Sequence, residues 1–179
     1  MKKTVLLFLM CCLGMVAHAQ FYFGGNVGLS FVSTSVEGES STSATYSIVP
    51  EMGYRLNKWF ALGGSLGISY VDPGDGDGNF TMLDISPYFR TTFAHVGCVD
   101  FFADAVLTYE HAFYQDDEEG VNAMALGICP GIAVNLTDRW QLQGRTILFQ
   151  HSRTFGDIDY KSTGFALGNN LNIGVIYKF

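Results

Sequence analysis

Few residues in this chain have the types and spacing that chemistry needs. The run Asp72-Pro73-Gly74-Asp75-Gly76-Asp77-Gly78-Asn79 offers alternating oxygen ligands, and Asp75, Asp77 and Asn79 match the opening of a calcium loop. The sixth loop position, which needs glycine for the turn, is Phe80, and the twelfth is Ser86 where a glutamate is required. The run is read as an acidic surface loop, with Asp72, Asp75, Asp77 and Asn79 as a weak metal candidate and no cofactor expected. His151-Ser152 supplies a base beside a hydroxyl. Adjacent residues of a strand point to opposite faces, so the pair cannot act together there, and no matching acid lies nearby. No catalytic residue is assigned and no enzyme is expected. Asp116-Asp117-Glu118-Glu119 reads as a solvated loop tip.

The other charges fall into a pattern. Glu51, Arg55, Asp84, Arg90, Asp100, Asp104, Glu110, Arg145 and Lys178 all occupy alternate positions of apolar segments. Residues two apart share one face of a strand. The opposite face carries Tyr46, Ile48, Pro50, Met52 and Tyr54 in one segment, and Leu171, Ile173, Val175, Tyr177 and Phe179 in the last. Eight such strands are predicted: Phe21–Val32, Ala44–Leu56, Trp59–Val71, Phe80–Phe93, Val99–His111, Asn122–Leu136, Trp140–His151 and Thr163–Phe179. In the seventh, Trp140, Leu142, Thr146 and Leu148 are placed outward.

Connections alternate in length. Ser33–Ser43, Asp72–Asn79, Ala112–Val121 and Ser152–Ser162 are long and polar and hold most of the acids; Asn57-Lys58, Ala94–Cys98 and Thr137–Arg139 are short. Long loops on one side and tight turns on the other fit a transmembrane β-barrel with an even strand number, both termini on the periplasmic, short-turn side. Ile48-Val49-Pro50, Ile85-Ser86-Pro87 and Ile128-Cys129-Pro130 form a weak repeat. Proline lacks an N–H, so a bulge or bend is expected at each.

Composition agrees. Hydrophobic residues make up 48% of the chain, with Gly 21, Phe 15 and Tyr 9. No segment after the first 19 residues is long and apolar enough for a transmembrane helix. The net charge of −7 argues against nucleic acid as a partner. Met1-Lys2-Lys3, the apolar stretch Thr4 to Val16 and Ala17-His18-Ala19 read as a cleaved signal peptide, 1–19, ahead of one domain, 20–179. Cys98 and Cys129 then remain and are expected as free thiols.

The ending Tyr177-Lys178-Phe179 resembles the C-terminal signature by which bacterial outer-membrane β-barrels are recognised for assembly. Together with the loop alternation it makes residues 21–179 similar to the small eight-stranded outer-membrane β-barrel family of the OmpX and OmpA-transmembrane-domain type, the "porin family". The resemblance implies an all-β, antiparallel, up-and-down barrel in the outer membrane of a Gram-negative bacterium. Its partners would be outer-membrane lipids, lipopolysaccharide and the barrel assembly machinery, and it would be a monomer. The peptidoglycan-binding domain of OmpA-type proteins is not expected. The nearly balanced inner charges suggest a lumen plugged by ion pairs, and four acidic extracellular loops suggest a structural or cell-surface interaction role. Those loops would bridge to lipopolysaccharide through divalent cations. A narrow porin or a channel for small hydrophobic ligands is the alternative, and a lipid A-modifying barrel enzyme the second.

Overall fold

The structure is a computed structural model that describes residues 20–36, 39–72, 79–114, 120–155, 161–165 and 170–179. The strand segments are β1 (Gln20–Val36), β2 (Glu39–Arg55), β3 (Phe60–Asp72), β4 (Phe80–Val96), β5 (Val99–Tyr114), β6 (Val121–Asn135), β7 (Trp140–Arg145), β8 (Phe149–Phe155), β9 (Lys161–Phe165) and β10 (Asn170–Lys178). Segments β1 to β6 pair in sequence, antiparallel. β7 and β8 both pair with β6 and form the seventh wall position; β10 and β9 form the eighth. β10 returns to β1, with Tyr22 opposite Lys178 and Phe23 opposite Tyr177. The Phe179 amide donates to the Phe21 carbonyl at 3.0 Å, which brings the start of β1 and the last residue together at one rim. The result is a closed, eight-stranded antiparallel barrel.

The two faces are inverted relative to a water-soluble protein. Phe23, Ile48, Met52, Leu66, Leu126 and Ile173 point outward and are exposed, while Asn26, Glu51, Arg90, Asp104, Gln141 and Gln143 are buried inside. Such an exterior is stable only where the surrounding solvent is itself apolar, and a closed barrel leaves no unpaired backbone toward lipid.

The rim with the chain ends carries the tight turns, and local chemistry sets them. The Asn57 side-chain oxygen accepts from the Trp59 and Phe60 amides at 2.7 and 2.9 Å. The Thr137 hydroxyl does the same for Arg139 and Trp140, at 3.2 and 3.0 Å. These are side-chain-closed turns. Gly97, at φ 63°, makes the two-residue turn between β4 and β5, a conformation costly for a residue with a Cβ.

Three expectations need correction. Most of Ser33–Ser43 is strand, because β1 and β2 stay paired to Val36 and Glu39. Pro50 and Pro87 interrupt pairing with β3 and β5 respectively, yet the register on either side is unchanged. A missing N–H costs one ladder bond there and no extra residue is inserted. The shift in β4 lies between Thr92 and Ala94 instead, at outward-facing Phe93. Only Pro130 faces an irregularity. Opposite it the seventh strand breaks, with Thr146 and Leu148 donating backbone bonds to Pro130 and Ile128. Gly131 pairs with Arg145 but Ile128 with Phe149, so one extra residue enters. That residue inverts the faces above it. Arg145 points inward, whereas His151, Arg153 and Phe155 point outward, and the strand runs beyond its predicted end. Thr146, expected outward, bonds through its hydroxyl to Asn170.

Candidate functional site: a charged network across the lumen

Strand alternation sends Asn26 of β1, Glu51 of β2, Arg90 of β4, Asp104 of β5, and Gln143 and Arg145 of β7 to the barrel axis. They meet there. Arg90 grips Asp104 through Nε at 2.7 Å and a terminal nitrogen at 2.8 Å, and its other nitrogen donates to Gln143 at 2.9 Å. The Gln143 amide donates to Glu51 at 2.6 Å and to Asn26 at 3.0 Å. Asn26 in turn donates to Glu51 at 2.9 Å. Arg145 bridges the two acids, 3.2 Å from Glu51 and 3.3 Å from Asp104. Two carboxylates and two guanidinium groups thus balance one another. Bonds such as Arg90–Gln143 and Gln143–Glu51 join strands that are not neighbours in the wall, so they cross the lumen. Among the described residues, no buried side-chain nitrogen or oxygen lacks a partner. Charges removed from water need that completeness.

Aromatic rings fill the space around the charges. Tyr22 and Tyr88 share a hydroxyl bond of 2.9 Å across the lumen. The Arg90 guanidinium lies 3.9 Å from the Phe102 ring centre and 5.4 Å from that of Tyr88. Each ring sits over a glycine of the adjoining strand: Tyr22 opposite Gly53, Tyr88 opposite Gly63 and Phe102 opposite Gly131. A Cβ at those glycines would come within 2.2, 2.4 and 2.3 Å of the rings. Below the network, a space of about 20 Å³ lined by Tyr22, Arg55 and Gln141 has room for about one water.

A second cluster closes the turn-bearing rim. Asp100 accepts from Asn135 at 2.9 Å and Gln141 at 3.2 Å and lies 2.5 Å from His95. Lys178 bonds the same Asn135. Trp140 and Tyr177 pack edge to face outside, as do Tyr177 and Phe179, each with ring centres 5.0 Å apart.

A family model described as "Outer membrane protein beta-barrel domain" matches residues 4–179. The chain belongs to the outer membrane protein β-barrel family. No curated protein matches it by sequence. Neisserial surface protein A resembles this barrel at TM-score 0.62 and 17% identity, over 89% of this chain and 97% of that one. Outer membrane protein OprG from Pseudomonas aeruginosa resembles it at TM-score 0.50 and 10% identity, over 90% and 95%. At such identities the likeness is one of fold. Membership in the family places this barrel in the outer membrane.

Of the nine predicted inner charges, Glu51, Arg90, Asp104 and Arg145 form the central network, and Asp100 and Lys178 share Asn135 at the rim. Arg55 lines the small space between these clusters. Asp84 and Glu110 face each other on β4 and β5 in the other half of the barrel, and Asp84 accepts from Ser86 at 3.0 Å. Of the metal candidates, Asp72 ends β3 and Asn79 precedes β4, while Asp75 and Asp77 lie outside the described residues, as does Asp116-Asp117-Glu118-Glu119. Among the described residues no cluster of metal-ligating side chains is present. Cys98 is exposed at the β4–β5 turn and Cys129 faces the lumen; both are free. The neutral members, Asn26, Gln141, Gln143, Tyr22 and Tyr88, were not picked out by charge. Their signal is alternation: Gln141 and Gln143 interleave with outward Trp140 and Leu142.

Proposed function

We propose that this protein is a plugged barrel whose role is structural, presenting its acidic loops at the cell surface for contact with other molecules. The central network supports this reading most directly. Arg90, Asp104, Gln143, Glu51, Asn26 and Arg145 connect five wall positions through the lumen at hydrogen-bonding distance. An eight-stranded barrel is barely wide enough for its own side chains. A solute would have to break several charge-assisted bonds at once to pass.

In this reading 1–19 is a cleaved signal peptide and 20–179 the barrel. Both termini and the tight turns face the periplasm, and the long loops face outward. Tyr177 and Phe179 present the outward aromatic edge of the closing strand to the assembly machinery. The barrel is a monomer embedded among lipids and lipopolysaccharide, with no catalytic role. Planar-bilayer recording of the purified barrel tests it. No conductance steps are expected; reproducible unitary steps would establish the narrow-porin alternative instead.

A further inference from the structure

Between the central network and the turn-bearing rim the lumen is short of negative charge. Of the inward charges of the described strands, Arg55, Asp100 and Lys178 lie on this side of the network, two cations for one acid. Asp100 is already taken by His95, Asn135 and Gln141, and Lys178 bonds Asn135. Arg55 is half-buried and has neither a hydrogen bond nor an ion pair among the described residues. Arg90 repels its charge and Asp100 attracts it. Arg55 and Arg90 belong to one cross-strand row, Arg55 on β2 opposite Ala61 on β3, and Ala61 opposite Arg90 on β4. The small side chain of Ala61 leaves room there. The space of about 20 Å³ is lined by Ala61, by Arg55 and Arg90, and by Asn57, Lys58 and Thr92. No residue of its lining is an aspartate or a glutamate.

We infer that this space is a binding site for a small monovalent anion of halide size, chloride, with the Arg55 guanidinium as its main partner. A charge drawn out of water needs a counter-charge or a full set of hydrogen bonds. A water molecule accepts one bond from Arg55 but leaves its charge uncompensated, whereas a chloride supplies both. Donors are in surplus. A guanidinium carries five N–H groups and no acceptor. Those of Arg55 are all unused, and Arg90 spends three of its own on Asp104 and Gln143. The Asn57 oxygen closes its turn by accepting from Trp59 and Phe60, which leaves its amide nitrogen unspent. Size selects among anions, because the room is that of about one water and a tetrahedral oxyanion needs several times as much. Sign matters too. The chain as a whole carries −7, so a lining of three cations and no acid runs against its average. Asn57 and Lys58 are exposed at the β2–β3 turn and give the ion a way in from the rim. The Arg90–Asp104 pair closes the other side, so the anion binds without crossing the barrel. The site lies at the opposite end from the long loops and does not depend on them.

The test uses the whole folded barrel in detergent, with chloride as the probe and gluconate making up a constant ionic strength. The chloride NMR line should broaden in the presence of the barrel, and added bromide should reverse the broadening. Arg55→Gln should lose most of it. So should Ala61→Val, which fills the space and removes no charge. Arg139→Gln, at the same rim but outside the cavity, should keep it. A heat-modifiable gel shift verifies that each variant is folded. In urea, once chloride exceeds its dissociation constant, each further tenfold rise should lower the unfolded-to-folded ratio of the parent about tenfold and leave that of Arg55→Gln unchanged. Broadening retained in both cavity variants, or gluconate stabilising the parent as well as chloride does, overturns the site. Sulfate displacing chloride as readily as bromide also overturns it, because the cavity would then read charge and not size. Where a variant does not fold, the response of the parent to chloride against gluconate decides.

Discussion

The Arg90 guanidinium meets the Asp104 carboxylate through two nitrogens, and Asp104 has no solvent exposure at all. Asp104 also neutralises Arg145. Asp104→Ala would leave two buried cations facing Glu51 alone. The expected loss is about 3–5 kcal/mol, the range for breaking a buried pair from one side. Replacing Arg90 and Asp104 together by Met and Leu should cost less than Asp104→Ala, because no charge is stranded. Urea unfolding followed by tryptophan fluorescence measures both. Equal loss in the two variants would show that the pair is hydrated and not buried.

Tyr88 and Gly63 form a separable unit. The Cβ of Gly63→Ala would sit 2.4 Å from the Tyr88 ring, and the ring is held by its hydroxyl bond to Tyr22. Overpacking of this kind costs about 1–3 kcal/mol. Gly144→Ala is the control, since nothing lies within 4 Å of an added Cβ there. The prediction is a clear drop in unfolding midpoint for the first and little change for the second. Adding Tyr88→Ala to Gly63→Ala should recover part of the loss through a coupling term. A Gly63→Ala midpoint equal to that of Gly144→Ala would refute the ring-over-glycine packing.

Much of this could be read from residue order because the two solvents of the barrel differ so strongly. Lipid outside and packed polar groups inside impose a period of two, and Leu171, Ile173, Val175, Tyr177 and Phe179 show it without help from tertiary context. Asn57 and Thr137 likewise announce their turns. Ser33–Ser43 does not show it, since a strand that continues past the lipid edge no longer needs an apolar face. Its ladder bonds persist all the same. The parity of the seventh strand was hidden too. Unbroken alternation puts Arg145 and Arg153 on one face, and only the extra residue opposite Pro130 separates them. Gln143 carries no charge, so nothing in its type revealed that it joins Arg90 to Glu51.

The role proposed for the chain end separates assembly from stability. Phe179 is 74% exposed and touches the fold through Tyr177 and its own amide. Phe179→Ser keeps the amide bond to Phe21 and loses the outward ring. Refolding of the purified variant into detergent should therefore resemble that of the parent. In cells, the heat-modifiable, membrane-inserted fraction should fall several-fold. Matching losses in both settings would assign Phe179 to stability alone.

The two cysteines report both burial and orientation. Cys98 is exposed at a tight turn on the rim with the chain ends, whereas Cys129 faces the lumen across from Asp104. In the folded barrel a bulky maleimide should add once, at Cys98, and a Cys98→Ser variant should stay unlabelled until it is unfolded. The thiolate is the reactive form, and a packed lumen denies the reagent any approach to Cys129. On intact cells a membrane-impermeant maleimide should leave Cys98 untouched and then label it after the outer membrane is permeabilised. Labelling of Cys98 on intact cells would invert the barrel and put the chain ends outside.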